Sequence, residues 1–270
     1  MSENERYGIC KLCGEHKKLT FEHVPPHKSF NAVAVKKYSP EDSIELMAGT
    51  NGRKPWETDG LNGILQQKGM GDYFLCKECN SNTGSWYMSE YTKFAKTLRS
   101  ILLQPDYSEE NLYSFTLEEF YPLKVFKGIM TMFCDINHGC MGDDSLRSFI
   151  MDRESTEFDH KKFSVYLYLT KSEMRRIQGI SVMHLSNIGL IRLSEISSFP
   201  IGLILCIDKP KKYNPPGLMI NEFAKYKYDE TVSVDFVKLP LLEVNSHFPA
   251  DFRTKQQIID CFNQDDETVL

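Results

Sequence analysis

The chain has 270 residues, 41% of them hydrophobic and 26% charged, which is typical of a soluble globular protein and argues against disorder along its whole length. No apolar run approaches the roughly 20 residues of a membrane-spanning helix, and the polar first residues lack the apolar core of a secretion signal, so we expect a cytoplasmic protein. The net charge of −5 argues against bulk attraction to nucleic acid but is compatible with a local basic groove.

Four of the eight cysteines form two Cys-x-x-Cys pairs, Cys10 with Cys13 and Cys76 with Cys79. Because the chain shows no export signal, we do not expect a disulfide framework. Each pair can direct two thiolates at one ion, and two pairs complete the tetrahedron that Zn²⁺ prefers. The sequence therefore predicts one structural zinc ion on these residues, and the other four cysteines are interpreted as small buried hydrophobic residues.

A carboxylate and an imidazole stand side by side between the two pairs, in the run Glu22-His23-Val24-Pro25. In a regular strand Glu22 and His23 would point to opposite faces, but at a strand end or bulge both can serve one site. The carboxylate would then bind a metal ion, while the imidazole is free to accept a proton. Asn80 directly follows the second cysteine pair, and we expect the zinc ion to bring it close to these residues.

Residues 27–70 carry basic and amide groups among glycines. Arg53, Lys54 and Lys68 are candidate contacts to phosphate groups, and plain solvated surface charges are the alternative interpretation. Trp56 could stack on nucleic-acid bases, although aromatic residues belong more often to a core.

Regular periodicity begins after the second cysteine pair. Apolar residues at three- and four-residue spacing predict a helix over 87–102, and the polar segment 104–111 is interpreted as a linker. Pro122 is suited to the first position of another helix, whose apolar residues form one stripe. Later patterns predict a half-buried strand over 163–169, strands over 201–207 and 232–237, and a short closing helix around Ile258. We interpret the second half as one α+β domain whose sequence names no activity.

The order of the motifs resembles the HNH endonuclease family, the zinc-stapled branch of the ββα-metal (His-Me finger) nucleases. The family pattern is Cys-x-x-Cys, then Asp-His or Glu-His followed by Val or Ile and prolines, then Cys-x-x-Cys followed by His or Asn. The resemblance covers about the first 85 residues. It implies an α+β protein in which a zinc-stapled ββα-metal module with an inserted loop, residues 1–103, precedes a mixed α+β domain, residues 112–270, that binds a target or a partner.

The resemblance also implies a role for each matching residue. His23 matches the general base that deprotonates the attacking water. Glu22 and Asn80 match the ligands of a catalytic Mg²⁺ or Mn²⁺ ion, and their oxygen atoms suit such a hard cation.

Three features depart from the family pattern. Glu22 stands where Asp is usual, and its side chain is one methylene longer. The middle Asn of the family is missing, and Asp72 in that neighbourhood is a candidate for the same local turn bonds. The segment from His27 to Met70 is longer than compact members need, and we interpret it as an insertion that lines the substrate groove.

The resemblance thus implies an endonuclease that hydrolyses phosphodiester bonds, with DNA favoured over RNA. By analogy, fusion of such a module to an unrelated domain suggests bacterial anti-phage defence. Two other interpretations stay open: a non-catalytic zinc-stapled module that binds nucleic acid or protein, and an RNA-cleaving nuclease of similar type. The C-terminal domain could bind a protein partner, and no membrane association is expected.

Overall fold

The computed structural model describes residues 5–38, 40–48, 53–104 and 112–267. These residues form a mixed arrangement of helices and several sheets, which agrees with the predicted combination of α and β structure. Within them, every helix is too short or too polar to cross a lipid bilayer.

The N-terminal part begins with short strands and one helix. In chain order these are β1 (Tyr7–Ile9), β2 (His16–His23), β3 (Val35–Tyr38), α1 (Pro40–Ala48), β4 (Gly63–Gln66) and β5 (Gly71–Cys76). β1, β2 and β5 form an antiparallel sheet in that spatial order, while β3 pairs with β4. His23 at the end of β2 pairs with Gly71 at the start of β5. Residues 24–70 are therefore an excursion that leaves and re-enters the sheet at one end.

A long helical segment follows β5 without a break. α2 (Lys77–Thr83) begins at the second cysteine pair, one stretch of π-helix spans Gly84–Met88, and α3 (Ser89–Leu102) continues it. The predicted helix over 87–102 is confirmed, whereas the predicted linker over 104–111 lies, except for its first residue, outside the described residues. The buried face of α3 carries Tyr91, Phe94, Ala95, Leu98 and Leu102, because this spacing places them on one side of the helix.

The C-terminal part combines a five-stranded antiparallel sheet, a two-stranded ribbon and helices. In chain order its elements are β6 (Leu112–Phe120), α4 (Pro122–Ile136), α5 (Asp144–Met151), β7 (Phe163–Leu169), β8 (Arg176–Leu185), β9 (Gly189–Ser198), β10 (Ile201–Ile207), β11 (Leu218–Met219), β12 (Val232–Pro240) and α6 (Lys255–Glu267). The sheet has the order β11-β7-β10-β9-β8, and β6 pairs with β12. The predicted strands over 163–169, 201–207 and 232–237 and the closing helix are confirmed.

Helix α4 lies at the centre of the packing. Pro122 occupies its first turn as predicted, since a fixed φ and a missing N–H cost little there. All residues from Pro122 to Asp135 except Lys124 are buried, so the predicted single stripe was too narrow. The helix contacts α3, α5, β5 and β8. As a result one hydrophobic core extends from Cys10 to Leu239, across the predicted boundary between the two parts of the chain.

Strand β7 was predicted to be half-buried, but all seven of its residues are buried. Val165 and Leu167 face the main core, while Tyr166 and Tyr168 face a second cluster that includes Val244. The prediction was wrong because the chain segment that covers the second face comes after β12, and no local pattern in β7 reveals it.

A buried ion pair anchors this covering segment. Arg176 and Glu195 are both fully buried, with Arg176 Nη2 2.7 Å from Glu195 Oε1. Tyr168 Oη donates to the same oxygen at 2.7 Å, and the Ala250 N–H donates to Oε2 at 2.8 Å. Arg176 also donates to three backbone carbonyls of the segment, those of Ser246, Phe248 and Asp251. Each charge is compensated, so the pair tolerates burial but depends on both partners.

Removing one of these charges is expected to destabilise the fold. Glu195→Gln leaves the Arg176 guanidinium buried without a counter-charge, and we expect the free energy of unfolding to fall by roughly 3–5 kcal/mol. Asp208→Asn is the matched control, because Asp208 pairs with Arg192 at the same 2.7 Å but on the surface, where a loss of about 0–1 kcal/mol is expected. Urea unfolding measures both variants, and equal losses would contradict this account.

Candidate functional site

The four predicted zinc ligands come together beside the N-terminal sheet. Cys10 and Cys13 flank the turn after β1, Cys76 ends β5, and Cys79 lies in the first turn of α2. Their sulfur atoms all lie within 4.8 Å of one another. Four sulfurs at about 2.3 Å from a tetrahedral Zn²⁺ stand about 3.8 Å apart, so this group can hold such an ion.

Backbone contacts hold the first pair in a tight turn. The Gly14 N–H donates to the Cys10 carbonyl at 2.9 Å, and the Cys10 N–H donates to the Glu15 carbonyl at 2.9 Å. Across the site, the Cys76 N–H donates to the Cys10 sulfur at 3.3 Å. The hydrogen bond between the Cys79 and Cys10 thiols lowers the pKa of Cys10 and raises that of Cys79, so Cys10 is the more readily deprotonated of the two.

Glu22 and Asn80 lie on the same side of the sheet. Asn80 Nδ2 lies 2.9 Å from Thr20 Oγ1, and the Thr20 hydroxyl donates to the Leu75 carbonyl at 2.9 Å. Because Thr20 uses its proton for Leu75, it accepts from Asn80, which fixes the amide and leaves Asn80 Oδ1 without a partner among the described residues. The pairing of β2 with β5 shifts register between Thr20 and Phe21, but the extra residue, Phe74, lies in β5. In β2, Thr20 and Glu22 are two residues apart, so their side chains share this face.

The Glu22 carboxyl group is partly buried, and no hydrogen-bond or ion-pair partner reaches it within the described ranges. Burial raises the pKa of Glu22 to about 7. A carboxylate oxygen and an amide oxygen on one face, both without partners, are the donors that a hard divalent cation prefers. Glu22 and Asn80 therefore fit such an ion.

His23 is the last residue of β2, and its side chain lies on the face opposite Glu22, as in a regular strand, so the structure brings Asn80 to the side of Glu22 and not to the side of His23. Its ring packs edge-on against Phe21 and His27, at centroid distances of 4.9 and 5.0 Å. Its Nε2 lies 3.0 Å from the Lys68 carbonyl oxygen. Because a carbonyl can only accept, the neutral ring carries its proton on Nε2 and presents Nδ1 as a proton acceptor. Burial lowers the pKa of His23 from its ordinary value, which favours this neutral form.

Asn31 ties the two ends of the 24–70 excursion together. Its buried amide donates to two backbone carbonyls, at 2.6 and 2.8 Å, and its Oδ1 accepts from the Met70 N–H at 2.8 Å. Gly69 has φ +90°, and a Cβ there would lie 1.9 Å from the Asn31 carbonyl oxygen, so glycine is required. The carbonyl that binds the His23 ring belongs to Lys68, the residue just before Gly69. The hydrogen bonds of Asn31, here called the Asn31 clamp, therefore fix the position of this carbonyl.

A residue of the C-terminal part reaches the same clamp. Arg175 Nη1 donates to Asn31 Oδ1 at 3.3 Å, and Nη2 donates to the Phe30 carbonyl at 3.0 Å. Asp72, suggested for local turn bonds, accepts from the neighbouring Tyr73 N–H at 2.8 Å. The bonds across the loop are made by Asn31, for which no motif in the sequence gives a signal.

The three predicted phosphate contacts have different surroundings. Arg53 donates to two backbone carbonyls within its own loop and pairs with Glu45 at 3.2 Å. Lys54 pairs with Glu57 at 3.6 Å. Lys68 is exposed, and its ammonium group has no hydrogen-bond or ion-pair partner in the part of the chain that the structure describes. Of the three, Lys68 is the one that lies next to the histidine ring.

One buried acid near the site has no sequence signal at all. Asp135, in the last turn of α4, is 1% exposed, and neither carboxyl oxygen has a hydrogen-bond partner within the described residues. Burial raises the pKa of Asp135 well above its usual range, and the charge of Glu22 raises it further. The proximity of these two groups depends on how α4 packs against the N-terminal sheet, which no local pattern reveals.

The cysteine group leads to a metal-content prediction. We expect one Zn²⁺ per purified chain, and we expect Cys76→Ser to be unfolded or aggregated, because a closed four-thiolate site contributes folding free energy directly. Cys261→Ser is the matched control, since Cys261 is exposed and lies outside the group. Elemental analysis and circular dichroism measure both effects. A parent protein with well under one zinc, or a normally folded Cys76→Ser protein, would be the contrary result.

No protein-family model, curated protein or solved structure matches this chain. Its functional assignment therefore depends on its own residues and contacts. The features that decide it are His23 at the end of β2 and the oxygen donors of Glu22 in β2 and Asn80 in α2.

Proposed function

We propose that this protein is a metal-dependent endonuclease of the HNH type that hydrolyses phosphodiester bonds in nucleic acid. The observation that carries the proposal is a histidine with a free Nδ1 at the last residue of β2, next in sequence to a carboxylate that shares the other face of the strand with an unpartnered amide oxygen. The antiparallel pair β2–β5, followed directly by α2, supports a ββα-metal module. The four-cysteine group at the strand–helix junction supports it further.

His23 is assigned as the general base. Its Nδ1 takes a proton from the water that attacks the phosphorus atom, a role that typically contributes a factor of about 10² to 10⁴ to the rate. The hydrogen bond from Nε2 to the Lys68 carbonyl holds the ring in one orientation. The same bond stabilises the imidazolium formed when Nδ1 is protonated, because the carbonyl accepts from either form.

Glu22 and Asn80 are assigned as ligands of a Mg²⁺ or Mn²⁺ ion. When bound, such an ion stabilises negative charge on the phosphoryl group and on the leaving oxygen. The chain holds the two oxygen donors on one face of β2, and Thr20 fixes the Asn80 amide so that its oxygen is available. Asn80 takes its place because it directly follows Cys79 in the zinc-binding group.

We propose DNA as the substrate, since no motif for reading a ribose hydroxyl is recognisable in the sequence. The exposed side chain of Lys68, whose backbone carbonyl binds the His23 ring, is suited to a phosphate of the strand being cut. The 24–70 excursion borders the end of β2 and is assigned to the substrate groove. The C-terminal part is proposed to select the target or to bind a protein partner.

The role of His23 is tested by substitution. His23→Ala is expected to lower the cleavage of plasmid DNA by a factor of about 10² to 10⁴, because water loses its positioned base. Zinc content, folding and DNA affinity are expected to stay close to those of the parent protein. Gel assays with Mg²⁺ or Mn²⁺ measure cleavage, and total RNA serves as the alternative substrate. If His23→Ala cuts as fast as the parent, His23 is not the base.

Asn80→Ala is the matched comparison, because it removes a cation ligand and leaves the base in place. Its loss of activity is expected to recover in part at high Mg²⁺ or Mn²⁺ concentration, whereas that of His23→Ala is not. Recovery of both variants to the same degree would contradict the separate roles of the two residues.

The pH profile gives a second test of His23. The base acts as a neutral imidazole, and burial lowers its pKa from the ordinary value of about 6.5. With saturating Mn²⁺, the rate is expected to be flat near neutral pH and to fall only as the pH drops below that value, when Nδ1 becomes protonated. A midpoint above pH 7 for this loss would contradict the assignment.

A further inference from the structure

We propose that Asp135 supplies a third oxygen ligand to the divalent-cation site at Glu22 and Asn80, so that the C-terminal part of the chain completes that site. The inference rests on the proposed function for its first two ligands. It adds a residue that the HNH resemblance does not provide, since Asp135 lies outside the first 85 residues.

The first support is that the buried carboxyl group of Asp135 has no hydrogen-bond partner among the described residues. A buried carboxyl group normally requires hydrogen bonds or a counter-charge. Glu195, the other fully buried acid in the described ranges, accepts hydrogen bonds from Arg176, Tyr168 and the Ala250 N–H. Asp135 is equally buried, yet both its oxygens lack any such donor among the described residues. The described side chains therefore supply neither a hydrogen-bond donor nor a counter-charge to this carboxyl group.

The second support is the electrostatic setting of Asp135. It is the penultimate residue of α4, where the helix dipole is negative and disfavours an acid. After burial, the negative charge of Glu22 is the largest cause that raises the pKa of Asp135, because two like charges repel each other. Two carboxyl groups that repel each other without a cation are drawn together by a divalent ion placed between them. An acid at this position is unfavourable for stability alone and favourable for cation binding.

The third support is the way α4 meets the N-terminal part. The helix packs against β5, the strand that pairs with β2. Just beyond its end, the Cys140 thiol donates to the Lys11 carbonyl in the cysteine turn at 3.7 Å. Lys11 is the basic residue whose charge acts on Asp135, but its Nζ lies 3.5 Å from His138 Nδ1 and forms no ion pair with the acid. The end of α4 is thus held against β5 and the cysteine turn, and Lys11 does not neutralise Asp135.

The test is Mn²⁺ binding, measured by electron paramagnetic resonance on zinc-loaded protein. We expect one Mn²⁺ site in the parent, and we expect Asp135→Asn to weaken its affinity by about tenfold or more. Asp135→Leu is a second variant, because leucine has a similar shape and carries no buried polar group. Glu78→Gln is the matched control: Glu78 is an exposed acid in α2 beside Cys79, and its loss should change the affinity less than about twofold.

Zinc content and thermal unfolding without Mn²⁺ show which variants are folded. A folded Asp135 variant that binds Mn²⁺ within about twofold of the parent overturns the inference, and so does a parent protein that binds no Mn²⁺. Weakened binding in Asp135→Asn and Asp135→Leu but not in Glu78→Gln supports it.

The inference and the proposed function fail in different ways. If Glu22→Gln weakens Mn²⁺ binding and His23→Ala abolishes cleavage while the Asp135 variants bind Mn²⁺ normally, Asp135 is not a ligand and the nuclease proposal stands. If the Asp135 variants lose Mn²⁺ binding although the parent cuts no nucleic acid, the cation site stands and the nuclease proposal fails.

Discussion

The convergence of four cysteine thiols within 4.8 Å is the constraint on which the candidate site depends. Four thiolates this close would repel one another, and a metal ion such as Zn²⁺ held between them would offset that repulsion. The same contact joins the turn after β1 to the junction of β5 and α2. It thereby holds the first turn of α2 over β2, where Asn80 meets Thr20. The positions of Asn80 and Glu22 on one face follow from this connection.

The site is not confined to the N-terminal part of the chain. Arg175 binds Asn31, and Asn31 binds the backbone at Met70, next to the loop whose carbonyl orients His23. The hydrophobic core is continuous across the two parts, with α4 packed against elements of both. The C-terminal part therefore bears on the orientation of the His23 ring, because its contacts reach the loop whose carbonyl binds that ring.

Local patterns predicted a large share of these features. The cysteine pairs, the Glu22-His23 run, the helix over 87–102 and the first position of Pro122 are each marked by spacing within a few residues. Asn31, Arg175 and Asp135 could not be predicted, because their roles depend on segments that meet only in the folded chain. The full burial of β7 was missed for the same physical reason: the segment that covers its second face is remote in sequence.

Burial favours the uncharged form of three titratable side chains, those of Glu22, Asp135 and His23. Burial raises the pKa of Glu22 to about 7, raises that of Asp135 well above its usual range, and lowers that of His23, so all three favour their neutral forms. The neutral form is the active one for a histidine base but not for a carboxylate that binds a cation. A cation that displaces the carboxyl protons would leave His23 neutral, because a nearby positive charge lowers the pKa of an imidazole. Cation binding and an unprotonated base are therefore compatible under the same conditions, near and above neutral pH.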